Sequence, residues 1–478
     1  MNILMATAES LPFSKTGGLA DVAYALSKEL VKEDNNVSII VPYYKDLDPT
    51  KFKAKKLYSL NVKMNWRSIP FNIIHTYFEG IHYYFVDNKE YFKRNNGLYG
   101  YFDDGERFAF FSLAVIEFLK KTSVKMDIVH VHDWQVGMIP CLLKTKYAGD
   151  PVLGKIKSVL TIHNPLFKGY FNASSLWDLY ELDFSLYSEG KVRLDNQVST
   201  LKAAIYFADK ITTVSPTHKK ELLTPEGSKG LSYDLQLREG DFTGILNGMD
   251  YKEFNPLRDP YIYKTWKSNE YKTGKAANKE AFCKEYNLNP GKPLFSVVSR
   301  LTDQKGIDLI LAMANFAVKS GGQFAVLGSG DYYAEEFFNN LRRQYPESVM
   351  VYIGYNNELA HRIYAASDFF IMPSAFEPCG LGQMIAQRYG ALPIVRRTGG
   401  LFDSVVPYDI NYKNEDVADG FGFTNYSTLD AMTAVGQALM VYNGSKNIMN
   451  KLVKNALKVD HTWKKSCQEY IEVYKSLL

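Results

Sequence analysis

Five basic side chains and one carboxylate lie in glycine-punctuated segments, each following an apolar run. They are Lys15 in KTGGLADV, Arg300 and Lys305 in SRLTDQKG, Glu377 in SAFEPCGLGQ, and Arg396 and Arg397 before a second TGGL at Thr398 to Leu401. Glycines at a strand-to-helix turn let a ligand approach the backbone, and a helix start adds oriented N–H groups that favour anions. Lys15 can set an ammonium beside phosphates that touch the Gly17–Gly18 backbone, with Asp21 in the first helical turn. Arg300 and Lys305 suit a diphosphate whose negative charge grows as it departs. Thr398 and Gly399 in the second TGGL suggest phosphate contact again. Glu377 would be out of place near phosphates unless it bound hydroxyls or stabilised positive charge, which a donor sugar supplies. Cys379, Gly380, Leu381 and Gly382 follow it, adding a thiol and a flexible backbone at a helix expected to start at Gly380.

Histidines add a second group. HVHDW holds His130, His132 and Asp133, and TIHN holds His163 and Asn164. An H-x-H at a strand end suits zinc in a metal-dependent hydrolase, but the sequence shows no further ligand set. His163 is evenly balanced between a cleft group and a structural histidine. The D-x-D at Asp46 to Asp48 and the Asp103–Asp104 pair read as solvated loops.

These segments need strands that end where the motifs begin. In the first half MNILMATAE, NVSIIVPYY, IHYYFVD, DIVHVHD, SVLTIHN and KITTVS read as strands, with helices such as LADVAYALSKELVKE between several of them. From Lys292 a second series runs through PLFSVVSR, QFAVLGSG, SVMVYIG, FFIMPS and LPIVRR, the parallel α/β pattern repeated. A polar, lysine-rich stretch from about Asn247 to Pro293 reads as linker and excursion. Two doubly wound domains facing across a cleft are expected, because ligands of open α/β sheets bind outside the carboxyl ends of strands.

Composition agrees with this. At 478 residues and 46% hydrophobic, the chain exceeds one core and fills two. Its 56 basic and 52 acidic residues nearly cancel, with no basic block, which argues against a nucleic-acid partner. The N-terminus reaches Glu9 without a signal-peptide core, and the apolar run FAFFSLAVIEFL is broken by Glu117, so neither export nor membrane insertion is expected. Four dispersed cysteines without a C-x-x-C pair suit a reducing cytoplasm. Tyrosines crowd the region from His75 to Phe108, where packing at core edges explains most of them.

KTGGLADV, HVHDW, TIHN, VSPT, LNGMD, SRLTDQKG, FEPCGLGQ and RRTGGLFDSV, in this order and over nearly the full length, resemble the bacterial glycogen synthases and plant starch synthases. The resemblance implies a metal-free, cofactor-free hexosyltransferase of the two-domain B type. It would move glucose from ADP-glucose to the non-reducing end of an α-1,4-glucan with retention. A synthase using UDP-glucose is the nearer alternative, and a hydrolase using HVHD the remoter. Implied domains are 1–246 and 247–460, Rossmann-like, with 461–478 returning to the first. The motif carry-over puts Lys15 and Gly18 on the donor phosphates from one side and Arg300 and Lys305 from the other. Glu377 would meet glucosyl hydroxyls. His163 would lie near the anomeric carbon, with its carbonyl stabilising oxocarbenium character. Asp133 and Asn164 would line the sugar and acceptor side, Tyr355 would stack on adenine, and Cys379 would report occupancy. Domain closure in turnover is expected, and a homo-oligomer is left open. Family members commonly carry arginine where this chain has Ala375, and serine or threonine where it has Gly382. Gln135–Val136 and Pro165–Leu166 also differ from the enterobacterial pattern.

Overall fold

The computed structural model describes residues 1–47 and 52–478. Two compact units are present: Met1–Asn247 together with Trp463–Leu478, and Gly248–Thr462.

Unit 1 contains β1 (Asn2–Ala6), β2 (Asn36–Pro42), β3 (Lys55–Met64), β4 (Arg67–Phe78), β5 (Ile81–Asp87), β6 (Ile128–His132) and β7 (Lys157–Ile162). The short β8 (Tyr170–Phe171), β9 (Arg193–Leu194) and β10 (Gln197–Ser199) form a separate sheet, and β11 (Lys210–Thr213) and β12 (Phe242–Gly244) follow. The main sheet runs β12-β11-β7-β6-β1-β2-β5-β4-β3. From β12 to β5 every pairing is parallel. These strands are almost wholly buried, as parallel strands covered on both faces must be.

The edge departs from the all-parallel expectation. β3 and β4 pair antiparallel with each other and with β5, and exposed residues recur along both. KKLYSLNVKM carries charge on its outward positions, a pattern suited to an edge and too weakly apolar to announce a strand. FAFFSLAVIEFL forms most of the helix Asp104–Lys121, buried on nearly every side. No helix among the described residues is long and apolar enough to cross a membrane. Asp103 and Asp104 are not the solvated loop expected. Asp103 makes a two-pronged pair with Arg94 at 2.6 Å, and Asp104 pairs with the buried Arg107. Of the D-x-D, Asp48 lies outside the described residues.

The helix Trp463–Lys475 packs in unit 1, burying Trp463, Cys467, Tyr470, Ile471 and Tyr474 with Ile3, Met5, Leu26, Leu30 and Ile128.

Unit 2 holds β13 (Leu294–Val298), β14 (Gln323–Gly328), β15 (Val349–Ile353), β16 (Phe369–Met372), β17 (Leu392–Arg396) and β18 (Phe421–Phe423). Their order is β15-β14-β13-β16-β17-β18, all parallel. The expected linker is only part of what lies before β13, because Tyr271–Glu285 is a helix. Its sequence, YKTGKAANKEAFCKE, has too few apolar residues to show a stripe. Buried polar contacts hold it instead: the Asn278 amide spans the backbone of Tyr263 and Lys264, and Lys279 Nζ reaches Asp368 at 2.7 Å.

Each sheet grows from its first strand in one direction and then in the other. The reversal lies between β1 and β6 in unit 1 and between β13 and β16 in unit 2. Crevices at such switch points are where open α/β sheets bind ligands.

Candidate functional site

The unit 1 candidates follow β1, β6 and β7. Beyond β1 the chain folds back, and the Glu9 carboxylate accepts from the Thr16 N–H and from its hydroxyl, the latter at 2.9 Å. Gly17 caps the helix Gly18–Lys32 without a side-chain hydrogen bond, and Glu9 holds the turn just before it through Thr16. Burial raises the pKa of Glu9, while hydrogen bonds from Thr16 and Gly17 pull it back down. A side chain at Gly18 would meet nothing within 4 Å, which leaves that backbone approachable. Lys15 Nζ pairs with Asp21 Oδ1 at 2.8 Å, both side chains partly exposed. An exposed pair is worth at most about 1 kcal/mol, so an arriving phosphate can take the ammonium over.

After β6, Asp133 adopts φ 58°, a conformation uncommon for a non-glycine residue and characteristic of functional turns. Its Oδ1 accepts the N–H of His163 at 2.7 Å and of Asn164 at 3.4 Å, tying the β7 loop to the β6 loop. Burial raises the Asp133 carboxyl to about 7 against those bonds, and the charge on Glu9 adds to the rise. Asn164 Oδ1 accepts the Leu166 N–H, which shapes the turn. His163 Nε2 lies 3.0 Å from His132 Nδ1. Burial lowers His163 to about 3 and His132 well below its usual value, so both rings are neutral near pH 7. His130, the other half of the H-x-H, is engaged in the core by Tyr474 and Thr161 at 2.7 and 2.6 Å.

The unit 2 candidates follow β13 and β16, the two strands at the reversal. Lys305 closes a short turn, Asp303–Lys305, and Gly306 then takes φ 73° where a Cβ would strike the Pro373 carbonyl at 2.3 Å. That close approach joins the two loops, and the Ala375 N–H reaches the Gln304 carbonyl at 3.0 Å. Glu377 is thereby set against Lys305. Its Oε2 accepts from Lys305 Nζ at 2.7 Å and from Ser374 Oγ at 3.0 Å, with Glu377 only 6% exposed. Arg300 differs: it is exposed at the end of β13 and has no ion pair among the described residues. The result is a buried carboxylate neutralised by one cation, with a second cation free to meet an anion.

Cys379, Gly380, Leu381, Gly382, Thr398 and Gly399 come together beside Glu377, but not as the motifs suggest. The helix starts at Gly382, two residues later than expected, because Gly380 adopts φ 75°. The Cys379 thiol donates to the Gly380 carbonyl at 3.3 Å and lies before the helix rather than on its first turn. In the second TGGL, a Cβ on Gly399 would meet the Glu377 carbonyl at 2.0 Å and one on Gly400 the Cys379 carbonyl at 2.1 Å. These glycines let the loop bearing Glu377 rest directly on the next helix start. Arg396 likewise donates to the Ser374 and Ala375 carbonyls, so it supports the same loop. A side chain at Gly382 would press on Phe370 at 3.0 Å and Met372 at 3.1 Å, so this position suits glycine. Tyr355 stands apart after β15, 85% exposed, with its ring face open.

Glu9, His132 and Ser374 are the residues that spacing alone does not reveal as partners. The one local signal is Glu9 itself, a carboxylate inside the apolar run that opens the chain. His132 is visible only as half of an H-x-H.

Two family models match the chain. The starch synthase catalytic domain covers residues 2–237, and glycosyl transferases group 1 covers residues 278–428. The chain is 44% identical to a glycogen synthase of Clostridium perfringens over 100% of its own length and 98% of that protein. It is 43% identical to a glycogen synthase of Lactococcus lactis, covering all of both chains. Among solved structures, the catalytic domain of starch synthase IV from Arabidopsis thaliana, bound to ADP and acarbose, matches with a TM-score of 0.90. That match has 33% identity and covers 99% of each chain. A sucrose-phosphate synthase from Thermosynechococcus elongatus shares the fold at a TM-score of 0.61 and 16% identity, over 100% of this chain and 98% of that one.

Proposed function

The chain belongs to the glycogen and starch synthase family, hexosyltransferases of the B-type fold, and on that premise we propose that its donor is ADP-glucose. The glucose passes to the non-reducing end of an α-1,4-glucan with retention, without a metal ion or organic cofactor. One observation carries the reading: Glu377 is buried and paired with Lys305, and Arg300, just beyond β13, is exposed with no ion pair among the described residues. A neutralised carboxylate suits sugar hydroxyls and a developing oxocarbenium charge, and a free guanidinium suits a departing diphosphate.

Front-face transfer assisted by the leaving phosphate fits better than double displacement. A carboxylate nucleophile must be ionised and free to attack. Glu377 Oε2 is held by Lys305 and Ser374. Asp133 is bonded to the His163 N–H, and at about 7 its pKa leaves it part-protonated. Tyr355 offers its open ring to adenine.

The deciding experiment is transfer of radiolabelled glucose to glycogen from ADP-glucose and UDP-glucose in parallel, with and without chelator. Label enters glycogen from ADP-glucose in α-linkage, and chelation leaves the rate unchanged. Absence of transfer from both donors overturns the reading, and faster transfer from UDP-glucose reassigns the donor. A chelator-sensitive rate removes the metal-free claim.

Thiol chemistry gives a separate check on the donor site. Cys141, Cys283 and Cys467 are fully buried, and burial raises their thiols to about 12, 11 and 12. Cys379 retains 7% exposure beside Glu377. Small thiol reagents therefore inactivate through Cys379, slowly, and ADP-glucose slows them further. The Cys379→Ser variant is resistant, and inactivation of that variant at the wild-type rate places the sensitive thiol elsewhere.

A further inference from the structure

His130 and His132 are two apart on β6 and so point to one face of the sheet, where their rings stack at 4.3 Å and 27°. The hydrogens around His130 can be placed by elimination. Thr212 Oγ1 lies 3.2 Å from the Leu160 carbonyl and 2.6 Å from Thr161 Oγ1, and with its single hydrogen given to the carbonyl it receives from Thr161. Thr161 then has only an acceptor left for His130, so His130 Nε2 carries the proton and Nδ1 accepts the Tyr474 hydroxyl. Every group in this chain is satisfied, and His130 is fixed as a flat support under His132.

His132 has one choice remaining. Its Nδ1 faces His163 Nε2 at 3.0 Å, while its Nε2 is fully buried and has no hydrogen-bond partner among the described residues. Burial keeps both rings neutral, so they share one proton across the contact. If His163 were the donor, His132 would hide an N–H with no acceptor. If His132 donates through Nδ1, only a lone pair is left unmet, which is the less costly vacancy. His163 then accepts at Nε2 and must carry its proton on Nδ1. His163 is part-exposed, and that nitrogen makes no hydrogen bond among the described residues.

We propose that His132 is a positioning residue: by donating Nδ1–H to His163 Nε2 it locks His163 in the Nδ1–H form, presenting a hydrogen-bond donor to the sugar. The inference deepens the transfer reading above and rests on it only for the sugar. The tautomer itself needs no substrate.

The test is a long-range 15N–1H spectrum of the full chain labelled at histidine, which has eight such residues, each assigned by single substitution. In the wild type His163 shows a protonated Nδ1 and an unprotonated Nε2. His132→Phe keeps the stacked ring and removes the donor, so His163 becomes a mixture of tautomers. In the same variant kcat falls about tenfold, the scale of one hydrogen bond, while KM for the donor moves less than twofold. His132→Asn places an amide N–H near the lost Nδ1 and restores the Nδ1–H form with most of the rate. The His130 signals report that the fold is kept. A wild-type His163 protonated at Nε2 overturns the proposal, as does His132→Phe with His163 and kcat unchanged. A chain that shows the assigned tautomer yet transfers no glucose would instead sink the transferase reading.

Discussion

Replacing Arg300 with alanine lowers kcat about a hundredfold and leaves both the melting temperature and glycogen binding unchanged. Arg300 is exposed and has no acidic partner among the described residues, so its removal strands nothing in the folded protein. What is lost is a charge-assisted contact to the leaving diphosphate, a transition-state term of roughly 3 kcal/mol. Lys305→Ala costs turnover on the same scale but lowers stability as well. Its ammonium neutralises Glu377, which is 6% exposed, and a buried carboxylate left unpaired is strongly destabilising. Steady-state kinetics with thermal unfolding on both variants separates the two roles. Near-normal kcat in Arg300→Ala removes the leaving-group assignment, and an unaltered melting temperature in Lys305→Ala removes the structural one.

Glu377→Ala loses most turnover while keeping its affinity for ADP. The carboxylate is proposed to serve the sugar, whereas the nucleotide is proposed to rest on Tyr355 and the basic side chains, so the loss belongs to kcat. Lys305 is then freed from its partner at 2.7 Å and can hold ADP at least as well as before. The covalent alternative predicts otherwise: a glucosyl-enzyme on Glu377, and azide rescue of the alanine variant with inverted configuration. Mass spectrometry of wild-type enzyme quenched during turnover distinguishes them. An adduct on Glu377 overturns front-face transfer, and lost ADP binding in the variant moves Glu377 out of the sugar subsite.

The loops at the strand ends are legible in the sequence because a buried parallel strand is a nearly unbroken apolar run, and polar residues just beyond it have few other reasons to cluster. Arg300, Lys305, Glu377, Asp133 and His163 all stand out in this way. Three kinds of feature do not. β3 and β4 pair at a solvated edge, where outward polar residues and Pro70 thin the apolar run that marks a buried strand. The helix Tyr271–Glu285 is held by buried Asn278 and Lys279, whose partners come from distant segments. The roles of Glu9 and His132 depend on contacts that spacing cannot report. The second TGGL is the instructive case, since its glycines look like its twin's yet admit neighbouring carbonyls at about 2 Å from a would-be Cβ. Identical letters answer different steric demands in the two units.

Unit 1 is built from two stretches of chain separated by all of unit 2, and this has a consequence for synthesis. Residues Met1–Asn247 leave the ribosome first, but the helix that seals their core begins only at Trp463. At typical elongation rates of about 5–20 residues per second, the intervening residues impose a delay on the order of ten to forty seconds. Throughout it the nascent unit 1 lacks Tyr470 and Tyr474, its face around Met5, Leu26 and Ile128 is bare, and His130 Nδ1 lacks the Tyr474 hydroxyl. Unit 2 is continuous and can finish first, so the two units mature in the reverse of their order in the gene. A message that ends just after codon 462 yields a polypeptide with a complete second unit and an uncovered first one, marked for chaperones and proteases by its own exposed core.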